Sequence, residues 1–312
     1  MGHLRFSDLP TLLRPGDLLV VNDTRVLPAR IRFTWGERDA ELLLLNPTTD
    51  PDTWECLLRP GKRARPGTRL QLRFGLWADV LGREPGGVCT LRFAPAGRLA
   101  AMLPEIGEVP LPPYIKAHLE DAERYQTIFA REPGSAAAPT AGLHFTDEVV
   151  AALAAADITV AALTLRVGLD TFQPLRAEAL DAHVMHSEAY AIPATTRASI
   201  DAARAAGGRV VAVGTTAARA LEAAAARRAA GEPAAAADAG ATDIFIRPGH
   251  PWREVDLLLT NFHLPKSSLL VMVSAFAGRE RVLDAYRQAI AEGYRFYSFG
   301  DAMLLEPAAP GA

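Results

Sequence analysis

Three histidines stand beside hydroxyls, amides or carboxylates: His144 in Pro139-Thr140-Ala141-Gly142-Leu143-His144-Phe145-Thr146, His186 in His183-Val184-Met185-His186-Ser187-Glu188, and His263 in Thr260-Asn261-Phe262-His263-Leu264-Pro265. An imidazole titrates near neutrality, so each is a candidate for moving a proton, and Glu188 adds a carboxylate to the second. Thr140 brings a hydroxyl to the first, and Gly142 lets backbone come close to a ligand. His144 also reads as an ordinary hydrogen-bonded structural residue. Its place just before a helix start, where free N–H groups favour a carboxylate or phosphate, supports the functional reading. His183-x-x-His186-x-Glu188 lacks the helical His-Glu spacing of zinc hydrolases and no third ligand stands out, so no metal is expected.

Anion-binding chemistry is suggested at Val213-Gly214-Thr215-Thr216-Ala217-Ala218-Arg219, where a strand, a glycine turn and two hydroxyls open a helix. Neither the glycine fingerprint of dinucleotide folds nor a P-loop lysine is present, and a tight turn capped by Thr216 is the plain alternative. Asn22-Asp23-Thr24-Arg25 follows an apolar strand, the position from which side chains reach a ligand crevice in an α/β sheet. Asn261 and Asp301 follow two later strands in the same manner, Asp301 reading either as a ribose ligand or as a turn residue.

The elements that must carry these groups change character along the chain. Residues 4–16 predict a short helix, and 17–21 a buried strand. From 28 to 108, short apolar alternations at 29–33, 41–45, 54–58, 69–74, 77–81 and 88–93, punctuated by Gly and Pro, predict a small β-barrel. Pro110 to Tyr114 reads as a stiff connector. Thereafter strands and helices alternate: a helix from Thr146 to about 156, strands at 158–165, 209–213, 243–247 and 255–260, helices at 267–277 and 279–292, and a last strand at 294–299. The fold class is therefore α/β, a mainly parallel sheet with helices on both faces, plus an inserted small β-barrel. Residues 1–27 and 109–312 form the discontinuous α/β domain and 28–108 the insertion. The Ala-rich run from 223 to 240 reads as a helix end and a loop without chemistry.

With 49% apolar and 22% charged residues in a chain of 312, a full core is expected; the net charge of -3 supplies no global attraction to nucleic acid. Such a partner would need a local patch, and Lys62, Arg63 and Arg65 lie in a stretch from Arg59 to Arg73 that holds no acid. A solvated hairpin is the alternative. Two cysteines far apart in sequence, Cys56 and Cys89, argue against a disulfide scaffold and fit a reducing cytoplasm, and neither an export signal nor a membrane span is read.

The ordered stretches VVNDTRVLPARI, PLPPYI, YQTIFAREPGSAAAPTAGLHFT, HVMHSEAY, VGTTAARALE, TDIFIRPG, VDLLLTNFHLPKSSLLVMVSAFAG and YRFYSFGDAMLL resemble the S-adenosylmethionine:tRNA ribosyltransferase-isomerase family of queuosine biosynthesis. The resemblance implies transfer of the ribosyl part of S-adenosylmethionine to the 7-aminomethyl-7-deazaguanine wobble base in a tRNA anticodon stem-loop, giving epoxyqueuosine with loss of adenine and methionine. It implies no cofactor, S-adenosylmethionine being a consumed co-substrate, and an α/β domain with a β-barrel insertion; a cytoplasmic monomer is expected. On this reading His144, His186, Glu188 and His263 are catalytic candidates. Asn22, Asp23, Thr24, Arg25, Thr140, Gly142, Gly214, Thr215, Thr216, Arg219, Asn261 and Asp301 bind substrate, and Lys62, Arg63 and Arg65 bind tRNA. Where the family carries His-Val-Gly-x-Gly-Thr-Phe, this chain has Arg166-Val167-Gly168-Leu169-Asp170-Thr171-Phe172. The family also has a further extended segment ahead of the stretch that opens here at His3; either the start codon is placed late or a strand is missing, which would leave a sheet edge open. The alternatives are a tRNA-binding family member with impaired turnover and an unrelated α/β enzyme acting on a nucleoside.

Overall fold

The computed structural model describes residues 1–84, 86–112, 114, 115, 119, 121–168, 185 and 187–309. His183, His186 and Asp170 lie outside the described residues. Two compact units divide the chain, Met1–Arg25 with Glu123–Ala312 and Val26–Ala122.

The larger unit opens with a 3-10 turn and one helical turn, α1 (Leu9–Leu12), shorter than the helix predicted over 4–16. Pro15 explains the early end, because the residue before a proline is driven out of helical geometry. β1 (Leu18–Asn22) is buried along its whole length, and β2 (Thr24–Val26) leads out of the unit.

The smaller unit contains β3 (Arg30–Trp35), β4 (Arg38–Pro47), β5 (Thr53–Arg59), β6 (Arg69–Gln71), β7 (Trp77–Arg83), β8 (Val88–Ala94), α2 (Arg98–Ile106) and β9 (Gly107–Glu108). They form one antiparallel sheet in the order β6-β7-β8-β5-β4-β3-β9. Alternate residues such as Ile31, Leu42, Leu44, Cys56, Val80 and Leu91 point into a single core. Register shifts at Leu44/Asn46 and Val80/Gly82 bend the sheet. It curls without closing: among the described residues no ladder joins β9 to β6, so the unit is a half-barrel. The unpredicted α2 buries Leu99, Leu103 and Ile106, one helical face, against that core.

Back in the larger unit come β10 (Glu132–Ser135), a 3-10 turn over Thr140–His144, α3 (Asp147–Ala155), β11 (Thr159–Leu165), β12 (Glu188–Ala191), α4 (Ala194–Ala205), β13 (Val210–Val213), α5 (Gly214–Ala229), α6 (Ala234–Ala237), β14 (Ala239–Thr242), β15 (Leu257–Asn261), α7 (Ser268–Ala277), α8 (Arg279–Ala291) and β16 (Ala302–Leu305). Their sheet runs β14-β12-β11-β1-β13-β15-β16. Parallel pairing is confined to the four central strands β11, β1, β13 and β15, while β12, β14 and β16 are antiparallel, so the sheet is mixed. Leu19 and Val21 of β1 pack with Leu9, Leu13, Phe145, Val149 and Leu153 on one face. Leu18 and Val20 pack with Leu221, Met272 and Phe276 on the other.

Three further predicted elements differ. Residues 294–299 form a turn, and the strand follows at β16; Tyr297 sits at φ 72, in a region a strand does not visit. The segment 243–247 is not a strand, the strand there being β14. The Ala-rich run is ordered as α5, α6 and β14, because methyl side chains at Ala217, Ala218, Ala220 and Ala224 let α5 lie close on the sheet.

Candidate functional site

The carboxyl ends of β1, β13 and β15 lie side by side in a parallel register, and the chain leaves β1 toward β11 on one side and β13 on the other. That change of direction opens a crevice beyond the strand ends, the place where open α/β sheets take ligands. Asn22 and Asp23 end β1, Gly214 to Thr216 follow β13, and Asn261 ends β15. The Thr140–His144 turn is fitted between them. A Cβ on Gly214 would meet the Ala141 methyl at 3.4 Å, and Gly214 itself has φ +89. A Cβ on Gly142 would come within 2.9 Å of Thr127 Cγ2. Gly142 is therefore explained by close approach of the turn to Thr127, and Gly214 by its left-handed backbone.

Asn261 connects the cluster. Its Nδ2 lies 3.0 Å from His144 Nε2 and donates to the Tyr297 carbonyl at 3.2 Å, while Thr140 Oγ1 donates to its Oδ1 at 3.3 Å. Phe6 stacks on the His144 imidazole at 5.1 Å and meets Phe145 edge-on. Burial lowers the His144 pKa below that of a free histidine; Asp301 pulls it up and Arg295 down. Burial thus favours the neutral imidazole over the charged form. His263 contacts Thr260 Oγ1 through Nε2 at 2.9 Å and donates its backbone N–H to Tyr286 Oη. Desolvation takes its pKa down to about 4, which removes it from general-acid work at neutral pH.

Asp23 is 8% exposed and accepts a hydrogen bond from Thr164 Oγ1 at 2.7 Å. Its pKa is raised, first by burial and also by Glu132, with Thr164 and Arg131 opposing. A carboxylate so placed is suited to take a proton. Its neighbours are otherwise engaged. Asn22 spends its side chain on both backbone groups of Leu165 and on the Thr24 N–H, clamping β1 to β11. Thr24 is fully buried and donates to the Glu132 carbonyl, and half-buried Arg25 pairs with Glu123. Asp301 accepts the Arg295 N–H at 2.7 Å and returns its own N–H to the Arg295 carbonyl, closing the loop that carries Tyr297. The side chains of Asn22, Thr24, Arg25 and Asp301 are thereby engaged within the protein.

Deeper in the same unit Glu188 and Arg219 form a buried ion pair, Glu188 also accepting the Gly168 N–H at 2.9 Å. Among the described residues, Arg219 Nη2 is buried without a hydrogen-bond partner, as are Thr216 Oγ1 and Thr127 Oγ1. Unsatisfied donors beside a glycine turn at a helix start are groups that a bound anion would satisfy. Arg166 is exposed and lies against Gly134, whose added Cβ would stand 3.0 Å from its Nε. Lys62, Arg63 and Arg65 are exposed in the smaller unit. Among the described residues no group of three or more His, Cys, Asp or Glu is gathered to hold a metal.

Reading the sequence missed Phe6, Thr127, Thr164 and Tyr297. Phe6 and Thr127 belong to helix-start and loop segments whose patterns carry no chemistry. Thr164 faces Asp23 only because β11 pairs with β1. For Tyr297 one signal existed: the Ser298-Phe299-Gly300-Asp301 turn. Gly300 is required there, since a Cβ would fall 2.4 Å from the Phe296 carbonyl carbon.

Comparison with known proteins gives the architecture a lineage. The model of a family described as queuosine biosynthesis protein matches residues 1–305. A Moorella thermoacetica protein named S-adenosylmethionine:tRNA ribosyltransferase-isomerase is 52% identical over 312 residues, covering 98% of this chain and 89% of its own. A Thermus thermophilus protein of the same name is 51% identical, covering 98% and 88%. A crystal structure of an S-adenosylmethionine tRNA ribosyltransferase from Thermotoga maritima is similar at a TM-score of 0.51 and 35% identity, over 96% of this chain and 86% of that one. With the family's pattern running through both units, the chain belongs to the queuosine biosynthesis protein family.

Proposed function

We propose that this chain is an S-adenosylmethionine:tRNA ribosyltransferase-isomerase. It moves the ribosyl part of S-adenosylmethionine to the 7-aminomethyl-7-deazaguanine wobble base of a tRNA, rearranges it to the epoxycyclopentanediol of epoxyqueuosine, and releases adenine and methionine. The observation that carries the reading is the match over residues 1–305 together with relatives of that name at about half identity over 98% of the chain. S-adenosylmethionine is a consumed co-substrate, no further cofactor takes part, and the enzyme works as a cytoplasmic monomer.

The reaction needs a base for the acidic C5′ proton beside the sulfonium, assistance for the departing adenine, and donors for hydroxyl and carboxylate oxygens. Asp23, with its pKa raised by burial, is suited to the proton; Thr140 and His144 face the same crevice. The unsatisfied Thr216 hydroxyl and Arg219 Nη2, with buried Thr215, support anion binding at the start of α5. Lys62, Arg63 and Arg65 supply cations for tRNA phosphates.

The test is incubation with labelled S-adenosylmethionine and tRNA carrying the deazaguanine precursor, followed by chromatography of the released products. Adenine and methionine in equal amounts are expected. Retention of tRNA without release points to a binding protein that has lost turnover, and neither retention nor release to a different nucleoside enzyme.

A further inference from the structure

The contacts of Asn261 leave its amide one orientation and, through it, leave His144 one protonation state. A carbonyl only accepts, so the Asn261 atom 3.2 Å from the Tyr297 oxygen is Nδ2. The Thr140 hydroxyl, which can donate or accept, donates to the opposite end, Oδ1, in keeping with that orientation. The second Nδ2 proton is then directed at His144 Nε2, 3.0 Å away, and that nitrogen must present its lone pair. The ring proton resides on Nδ1. Among the described residues Nδ1 has no hydrogen-bond partner, and it is not among the atoms sealed from solvent. Phe6, stacked at 22° to the imidazole, holds the ring plane. A proton added at Nε2 would set N–H against N–H, so the same contact keeps the ring neutral.

We propose that Asn261 is a positioning residue that locks His144 as the neutral Nδ1–H tautomer, so that His144 offers the substrate a hydrogen-bond donor and does not act as a base. This rests on the reading of the crevice as the catalytic centre. A fixed neutral donor favours an acceptor that gains electron density during reaction, here a ribose oxygen or a nitrogen of the departing purine. Proton abstraction then falls to another group, for which Asp23 is placed.

Long-range proton–nitrogen NMR correlations of histidine-labelled protein read the tautomer directly, with the His144 signals assigned by their loss in H144Q. At neutral pH a protonated, pyrrole-type Nδ1 and an unprotonated, pyridine-type Nε2 are expected. A pyrrole-type Nε2, or an imidazolium, in the unaltered protein overturns the proposal. In N261D the new carboxylate accepts where the amide donated, so the proton moves to Nε2. In that variant kcat falls about 100-fold, within the range of a positioned acid–base group, with KM for S-adenosylmethionine little changed. An N261D variant that keeps the original tautomer also overturns it. If N261D does not fold, the spectrum of the unaltered protein still decides. The tautomer is read without turnover, so its failure and failure of the transferase assignment are separate results.

Discussion

Burial opposes a charge on Asp23, and Thr164 Oγ1 and Arg131 offset this only in part. A carboxylate whose folded-state pKa is raised loses stabilising free energy as pH climbs through the interval between its unfolded and folded values, and the loss persists above it. Asp23→Asn removes that charge while its amide oxygen can still accept from Thr164. The variant is expected to melt at a higher temperature than the parent at pH 7, and to release adenine about 100-fold more slowly, the loss typical of a positioned acid–base group. Differential scanning calorimetry and product chromatography check the two halves. A less stable variant would show that the charge is compensated, and undiminished release would take Asp23 out of proton transfer.

Among the elements, β1 and β13 determine how far apart Asn22-Asp23 and Gly214-Thr216 stand, and their starts are tied by Asp17 and Arg209. Asp17, 1% exposed, accepts the Arg209 backbone N–H at 3.0 Å and its Nε at 3.1 Å. Burial alone would push its carboxyl up; the Arg209 side chain and the Arg14 and Arg209 backbone N–H groups outweigh that and hold it low. The pair therefore stabilises the fold above the usual aspartate range, and the contribution is lost as pH falls through the depressed folded value. Asp17→Asn is expected to cost about 2–4 kcal/mol at pH 7 by urea unfolding, somewhat under the full cost of breaking a buried pair because Arg209 keeps some solvent. The deficit shrinks in acid, where the parent loses the same charge. A second tie joins α4, α5 and α6: Arg197 and Arg228 both pair with Asp238 and Glu254. It gives the Ala-rich run a structural purpose that its composition hides.

For the whole molecule, a net charge of -3 makes tRNA affinity depend on where cations gather. Lys62, Arg63 and Arg65 are exposed on the half-barrel, where Arg69 is paired with Asp79 and is less available. Replacing Arg63 and Arg65 together by Ala is expected to lower the slope of log affinity against log salt by about 1–2, one lost phosphate contact each. Filter binding at several salt concentrations measures it, and an unchanged slope would put the phosphate contacts on other residues.

Local pattern made much of the fold legible. Strands in the half-barrel, the turn at Gly214, the cap of α3 at Thr146 and the apolar α7 follow from alternation, glycine and capping chemistry that act within a few residues. Asp23 and Asn261 were legible as candidates from their place after apolar strands, Gly214 from its turn, and Thr140 and His144 from their place before a helix start, together with the resemblance of their motifs to a known family. Which of them are free to meet a ligand was decided only by tertiary structure. Asn22 is consumed by Leu165 and Asp301 by Arg295, Thr164 reaches Asp23 across a strand pair, and Tyr297 orients Asn261 from a loop closed by Gly300. The antiparallel turn of β12, β14 and β16 was hidden for the same reason. Strand direction and hydrogen-bond partners are settled by residues distant in the chain, and no local window contains them.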